Sequence, residues 1–173
     1  RGAILAKAEG NPLFLEELLR SLVDSGLVDQ EGDRAIVTGP LASLEVPDTL
    51  QGVIAARIDR LPPAEKRALQ TASVFGRIFA RPLLAGLLAE DGSGIAIDPA
   101  LQELERRELL KRRTESAFIF KHALTHEVAY GGILKSRRRE LHELAAKVVV
   151  ALIPEALEER SAELGFHYER AER

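Results

Sequence analysis

Apolar residues recur along much of this chain at steps of three and four, the mark of helices that each bury one stripe. The first such run follows Gly10 and contains Leu13, Leu15, Leu18, Leu19, Leu22 and Val23. Pro12 suits its opening turn, where a missing N–H costs nothing, and Gly26 suits its end. Between Leu27 and Val37 two short apolar runs flank a polar turn with Gly32, which predicts a small β-hairpin. Strands this short need helices to lean on. A second helix is predicted after Pro47, with Leu50, Val53, Ile54, Ile58 and Leu61 on one face and Asp48 or Thr49 as its cap. Leu61-Pro62-Pro63-Ala64 then breaks the pattern. Paired prolines end one helix and stiffen the junction, so a module boundary is placed between residues 61 and 62, with Pro63 in the first turn of the next helix.

Past the boundary, Leu69, Ala72, Ser73 and Phe75 predict a helix over Ala64 to Gly76. A short extended piece, Arg77 to Ala80, leads to a helix from about Arg81 to Ala89, and Asp91-Gly92-Ser93-Gly94 reads as a loop. Asp98 is expected to cap a helix through Leu101, Leu104 and Arg107. Leu109 to Arg113 and Ala117 to Lys121 read as two strands around Thr114-Glu115-Ser116. Three helices followed by a hairpin is the order of a winged-helix domain. The apolar series from Leu124 to Leu152 predicts two further helices broken near Gly131-Gly132, with Pro154 ending the second and one more over Glu155 to Arg173. The expected fold class is mainly α: a helical bundle with a small β-hairpin (1–61), a winged-helix domain (62–121) and linking helices (122–173).

Composition narrows the function classes. With 173 residues, 46% of them hydrophobic, the chain can bury a real core. It has no Cys, which excludes disulfides, thiolate metal sites and a cysteine nucleophile. No apolar run approaches the roughly 20 residues of a membrane span, and the start lacks the order of a signal peptide. A net charge of −3 gives no general attraction to nucleic acid or anionic lipid. A soluble, cytoplasmic protein is expected. The absence of Met and the start on Arg1 suggest an internal piece of a longer chain.

Candidate chemistry is sparse. There is no G-x-x-x-x-G-K-[ST] phosphate loop and no apolar strand ending in acidic metal ligands, so neither ATP hydrolysis nor any other catalysis is expected of this segment. No G-x-S-x-G elbow presents a serine, and the adjacent pairs Glu16-Glu17 and Glu158-Glu159 point in different directions on a helix. His122 and His126 would share a helix face, yet no third ligand accompanies them, so packing or hydrogen bonding at the wing–helix junction is expected rather than a metal. His142 and His167 read as isolated. The one concentrated charge lies between Arg106 and Glu140, with ten cations against four carboxylates. From it come the candidates for a basic interaction surface: Arg106, Arg107, Lys111, Arg112, Arg113, Arg137, Arg138 and Arg139. A winged helix could use such a surface on DNA, with the helix from Asp98 to Arg107 in the major groove. Glu103 and Glu105 on that helix would repel phosphates, which ranks DNA binding second.

Several stretches together resemble a known family. Glu9-Gly10-Asn11-Pro12-Leu13-Phe14-Leu15-Glu16-Glu17-Leu18 is similar to a stretch in the lid of STAND ATPases, the signal-transduction ATPases with numerous domains. Similar pieces follow in the same order: Val46-Pro47-Asp48-Thr49-Leu50-Gln51, Ala56-Arg57-Ile58-Asp59-Arg60-Leu61-Pro62, Phe120-Lys121-His122-Ala123-Leu124, Val128-Ala129-Tyr130 and Arg137-Arg138-Arg139-Glu140-Leu141-His142. Leu164-Gly165-Phe166-His167-Tyr168-Glu169-Arg170-Ala171 resembles the start of a helical repeat array. The resemblance implies that residues 1–61 are the lid of an ATPase module and that Gly10, Asn11 and Pro12 face the adenine of a bound nucleotide. It further implies ATP or ADP with Mg in an upstream core, which with the downstream helical repeats would be this segment's partner. Self-association and an output such as a cyclase, kinase or transcription-regulating domain are features of that family. Arg57, Arg60 and Arg77 are candidate contacts to the core, with structural ion pairs the competing role.

Overall fold

A computed structural model describes residues 10–31, 34–38, 47–152 and 161–172. The fold is mainly helical, and the chain divides into two compact units between Leu61 and Pro62, at the paired prolines.

In the first unit, α1 (Pro12–Asp24) leads to strands β1 (Val28–Glu31) and β2 (Arg34–Val37), then α2 (Leu50–Asp59). The side chain of Asn11 accepts from the backbone N–H of Leu13 and Phe14, and Pro12 takes the first turn. At the far end Gly26 adopts φ +69°. Leu27 N–H reaches back to Leu22 C=O, and Gly26 N–H to Val23 C=O, a Schellman cap that needs a residue able to take the left-handed conformation. The buried face of α1 carries Phe14, Leu18 and Leu22, rotated from the expected stripe, and Leu19 is 40% exposed. Phe14 and Leu18 pack on Val53 of α2, with Leu15 and Leu50 at the margin. β1 and β2 pair antiparallel from Val28↔Val37 to Glu31↔Arg34, as the hairpin pattern predicts; the turn with Gly32 lies outside the described residues. Thr49, not Asp48, caps α2, accepting from Gly52 N–H at 3.1 Å.

The second unit begins with α3 (Pro63–Ser73), β3 (Ile78–Ala80), α4 (Arg81–Glu90) and α5 (Ile97–Arg106). β4 (Leu110–Arg112) and β5 (Ala117–Phe120) form the hairpin, followed by α6 (Ala123–Gly131), α7 (Lys135–Leu152) and α8 (Ser161–Glu172). The extended piece before α4 is a true strand: β3 pairs antiparallel with β5, giving the order β3-β5-β4. Phe79, Phe118 and Phe120 meet on its inner face, and Leu101 and Leu104 of α5 and Leu109 before β4 are buried as well. Asp98 does not cap α5; it lies in the first turn and accepts two hydrogen bonds from Arg81, both at 2.7 Å. Two residues past the helix Glu108 takes φ +57°, and Leu109 N–H reaches back to Leu104 C=O.

α6, α7 and α8 belong to the same unit as the elements between residues 62 and 121. Val74, Leu87, Ile133, Leu141 and Ala145 form one core cluster, and Leu83 with Val148 and Val149 forms another. α7 crosses α4 at Gly86, where an added Cβ would stand 2.7 Å from Val148 Cγ1. Any side chain there would force Val148 to shift. The break between α6 and α7 falls at residues 132–134, as the glycine pair suggests. Pro154 and the start of the last expected helix lie outside the described residues.

Candidate functional site

Gly10 has φ +77°, and Gly10, Asn11 and Pro12 are exposed. The left-handed glycine turns the chain into α1, Asn11 occupies two of the helix's first N–H groups, and the Pro12 ring remains uncovered among the described residues. This element supports both a helix start and an apolar surface open to a ligand.

Arg57 belongs to the packing instead. Its guanidinium is wholly buried, donating to Glu17 at 2.5 Å and to Asp24 at 2.9 Å. Arg60 donates to Ser21 at 2.9 Å. These bonds tie α2 to α1. A buried cation with two carboxylates was invisible in the sequence, because Glu17 and Arg57 are far apart in the chain and the apolar face of α2 hid the charge among them.

The eight basic candidates fall on two parts of the second unit. On the hairpin side, Arg106 and Arg107 both donate to Glu103, at 2.6 Å for each ion pair, and Arg112 reaches Glu105 at 3.3 Å. The hydrogen bond from Arg106 holds the Glu103 carboxyl well below its ordinary range, at about 2. Lys121 pairs with Glu108. Lys111 and Arg113 are exposed on the hairpin. The carboxylates of α5 thus occupy much of the positive charge that a phosphate backbone would need.

At the start of α7, Arg137 pairs with Asp91 and Glu140, Arg139 is exposed, and Arg138 lies over the Tyr130 ring at 4.8 Å. This last contact opens onto a group that the sequence reading missed. Arg170 Nη1 donates to the Tyr130 hydroxyl at 3.4 Å, which is 2.9 Å from His142 Nε2, and His142 Nδ1 is 2.9 Å from His167 Nδ1. One direction of donation satisfies the row: Arg170 to Tyr130, Tyr130 to His142, and His142 to His167, with His142 neutral. Both histidines are buried. Burial chiefly, then the neighbouring His167, Arg170 and Arg138, pushes His142 down to about 4. The sequence signals were weak, since the two histidines stand 25 positions apart. The cations in the first turn of α7, which holds no acid, read in the sequence only as part of the general basic cluster.

His126 meets its expectation, bonding Ser73 C=O at 2.9 Å and packing its ring on Phe120 and Tyr130. His122 precedes α6 in extended conformation, so the two histidines do not share a helix face. Among the described residues no group of three or more His, Cys, Asp or Glu is arranged to hold a metal ion, and no helix is long and apolar enough to cross a membrane. No protein-family model, curated protein or solved structure gives a significant match to this chain.

Proposed function

We propose that this chain is a non-catalytic regulatory segment of a cytoplasmic signalling ATPase of the STAND type. Its first unit acts as the lid over a nucleotide held by an upstream core. Residues 62–121 act as the winged-helix module that relays the nucleotide state, and α8 begins the repeat array. The observation that carries the reading is the Gly10-Asn11-Pro12 element, where a left-handed glycine sets an exposed proline at the head of a helix. Such a ring is a rigid apolar face for an adenine, and ATP or ADP with Mg would sit in the core rather than in this segment. The order of three helices and a hairpin, with β3 returning onto β5, supports the winged-helix assignment. The nucleotide held by the core biases a two-state rearrangement of lid and winged helix. The carboxylates paired with Arg106, Arg107 and Arg112 weigh against the DNA-binding reading.

The test is Pro12→Ala in a form of the protein that includes the upstream core. Removing two ring methylenes from an adenine contact should cost about 1.5 kcal/mol, roughly a tenfold loss of ATP affinity. Unchanged affinity would remove the adenine role.

A further inference from the structure

Many cations in the second unit hold a carboxylate, among them Arg81, Arg106, Arg112, Lys121 and Arg137. Lys135, Arg138 and Arg170 make no ion pair among the described residues, yet the fold brings them together. They line one open cleft of about 280 Å³ with Tyr130 and Arg139. The cleft lies at the N-terminal end of α7, an 18-residue helix with no acid in its first turn. Free N–H groups there add to the positive potential, so cations at this end oppose the helix's own stability. Like charges gathered without partners are costly to hold, and an anion removes that cost.

A second cavity of about 200 Å³ adjoins the first, with Tyr130 and Arg170 as common walls. Its other lining includes Val74, His126 and Phe166. Phe166 is 42% exposed, and Arg170 lies over its ring at 5.1 Å. One cavity is therefore cationic, and its neighbour is apolar and aromatic.

We propose that the joined clefts bind a small organic phosphate monoester, with its phosphate on Lys135, Arg138 and Arg170 and its planar apolar body against Phe166 and Tyr130. Arg138 is prepared for this role. Its Nε donates to Ile133 C=O at 3.1 Å and its plane rests on Tyr130, leaving the two terminal nitrogens for a forked bond to phosphate oxygens. A monoester dianion meets three cations better than the single charge of a phosphodiester does. Inorganic phosphate would leave the apolar cavity empty. The inference concerns the second unit alone and does not rest on the ATPase reading.

Calorimetric titration of the 173-residue protein with phenyl phosphate, inorganic phosphate and phenol tests it. Phenyl phosphate should bind at least about tenfold tighter than either of the others. Lys135→Gln and Arg138→Gln should each weaken both phosphates by about tenfold, the loss of one charge-assisted bond, while Phe166→Ala weakens phenyl phosphate alone. Lys135 is exposed and unpaired, so Lys135→Gln keeps the fold and remains informative if another variant does not. As a separate readout, bound phosphate should raise the titration of His142 by offsetting Arg138 and Arg170. Phenyl phosphate binding that is no tighter than inorganic phosphate, or that is unchanged in Lys135→Gln, overturns the assignment.

Discussion

Glu17→Gln should damage the first unit while leaving the second intact. The Arg57 guanidinium it would abandon is fully buried, and Glu17 and Asp24 are carboxylate partners of it among the described residues. Breaking a buried ion pair from one side costs about 3–5 kcal/mol, because the remaining charge stays in a medium that solvates it poorly. Asp24 would still hold Arg57, which places the expected cost at the lower end, about 3 kcal/mol. At roughly 0.05–0.15 kcal/mol per residue, a unit of this length has about 3–9 kcal/mol to lose. The variant therefore spends a third or more of its stability. Amide hydrogen exchange read peptide by peptide gives the answer: α1 and α2 should exchange about a hundredfold faster, and α3 to α7 should not change. Exchange in α1 and α2 within about threefold of the parent, a shift below about 1 kcal/mol, would refute the argument. It would return Arg57 to the residues available for contact with a nucleotide-bearing core.

Acid should weaken the second unit through His142. Its folded-state value of about 4 lies below the ordinary 6.5, so the unfolded chain takes up a proton that the folded one refuses. Stability is lost as pH falls from 6.5 to 4, by about 3 kcal/mol in total, and levels off below; urea midpoints across that range check it, and a flat profile contradicts it. Leu104→Ala should cost about 2–5 kcal/mol by opening a cavity where Leu104 is fully buried; a thermal shift too small for about 1 kcal/mol would show that this core is loose. Duplex DNA should bind the chain weakly, with no sequence preference, and neutralising Arg112 and Arg113 should change that little. Sequence-specific binding abolished by those substitutions would instead establish the hairpin as a DNA reader.

Local signals carried most of the fold. Asn11-Pro12 and Gly26 mark the two ends of α1 because each answers a backbone requirement that only a few residues meet. The paired prolines do the same at the boundary between the units. β3 was legible only as an extended piece, since three residues display no period and its partner β5 lies some forty positions on. Glu108 gave no warning of its left-handed backbone, because that conformation is ordinarily announced by glycine. Asp98 looked like a cap and instead serves Arg81, a choice made by tertiary contact. The site divides the same way. The Gly10-Asn11-Pro12 element is a local pattern and could be read directly. The row from Arg170 through Tyr130 and His142 to His167 is assembled from three helices, and no spacing within one of them encodes it.

The central claim is that the first unit closes over a nucleotide bound by a preceding core, and the coding sequence immediately upstream of Arg1 tests it most directly. The account predicts a G-x-x-x-x-G-K-[ST] loop between a strand and a helix, followed by an apolar strand ending in acidic residues. An upstream sequence with neither feature would contradict the claim and leave Gly10-Asn11-Pro12 as no more than the start of a helix.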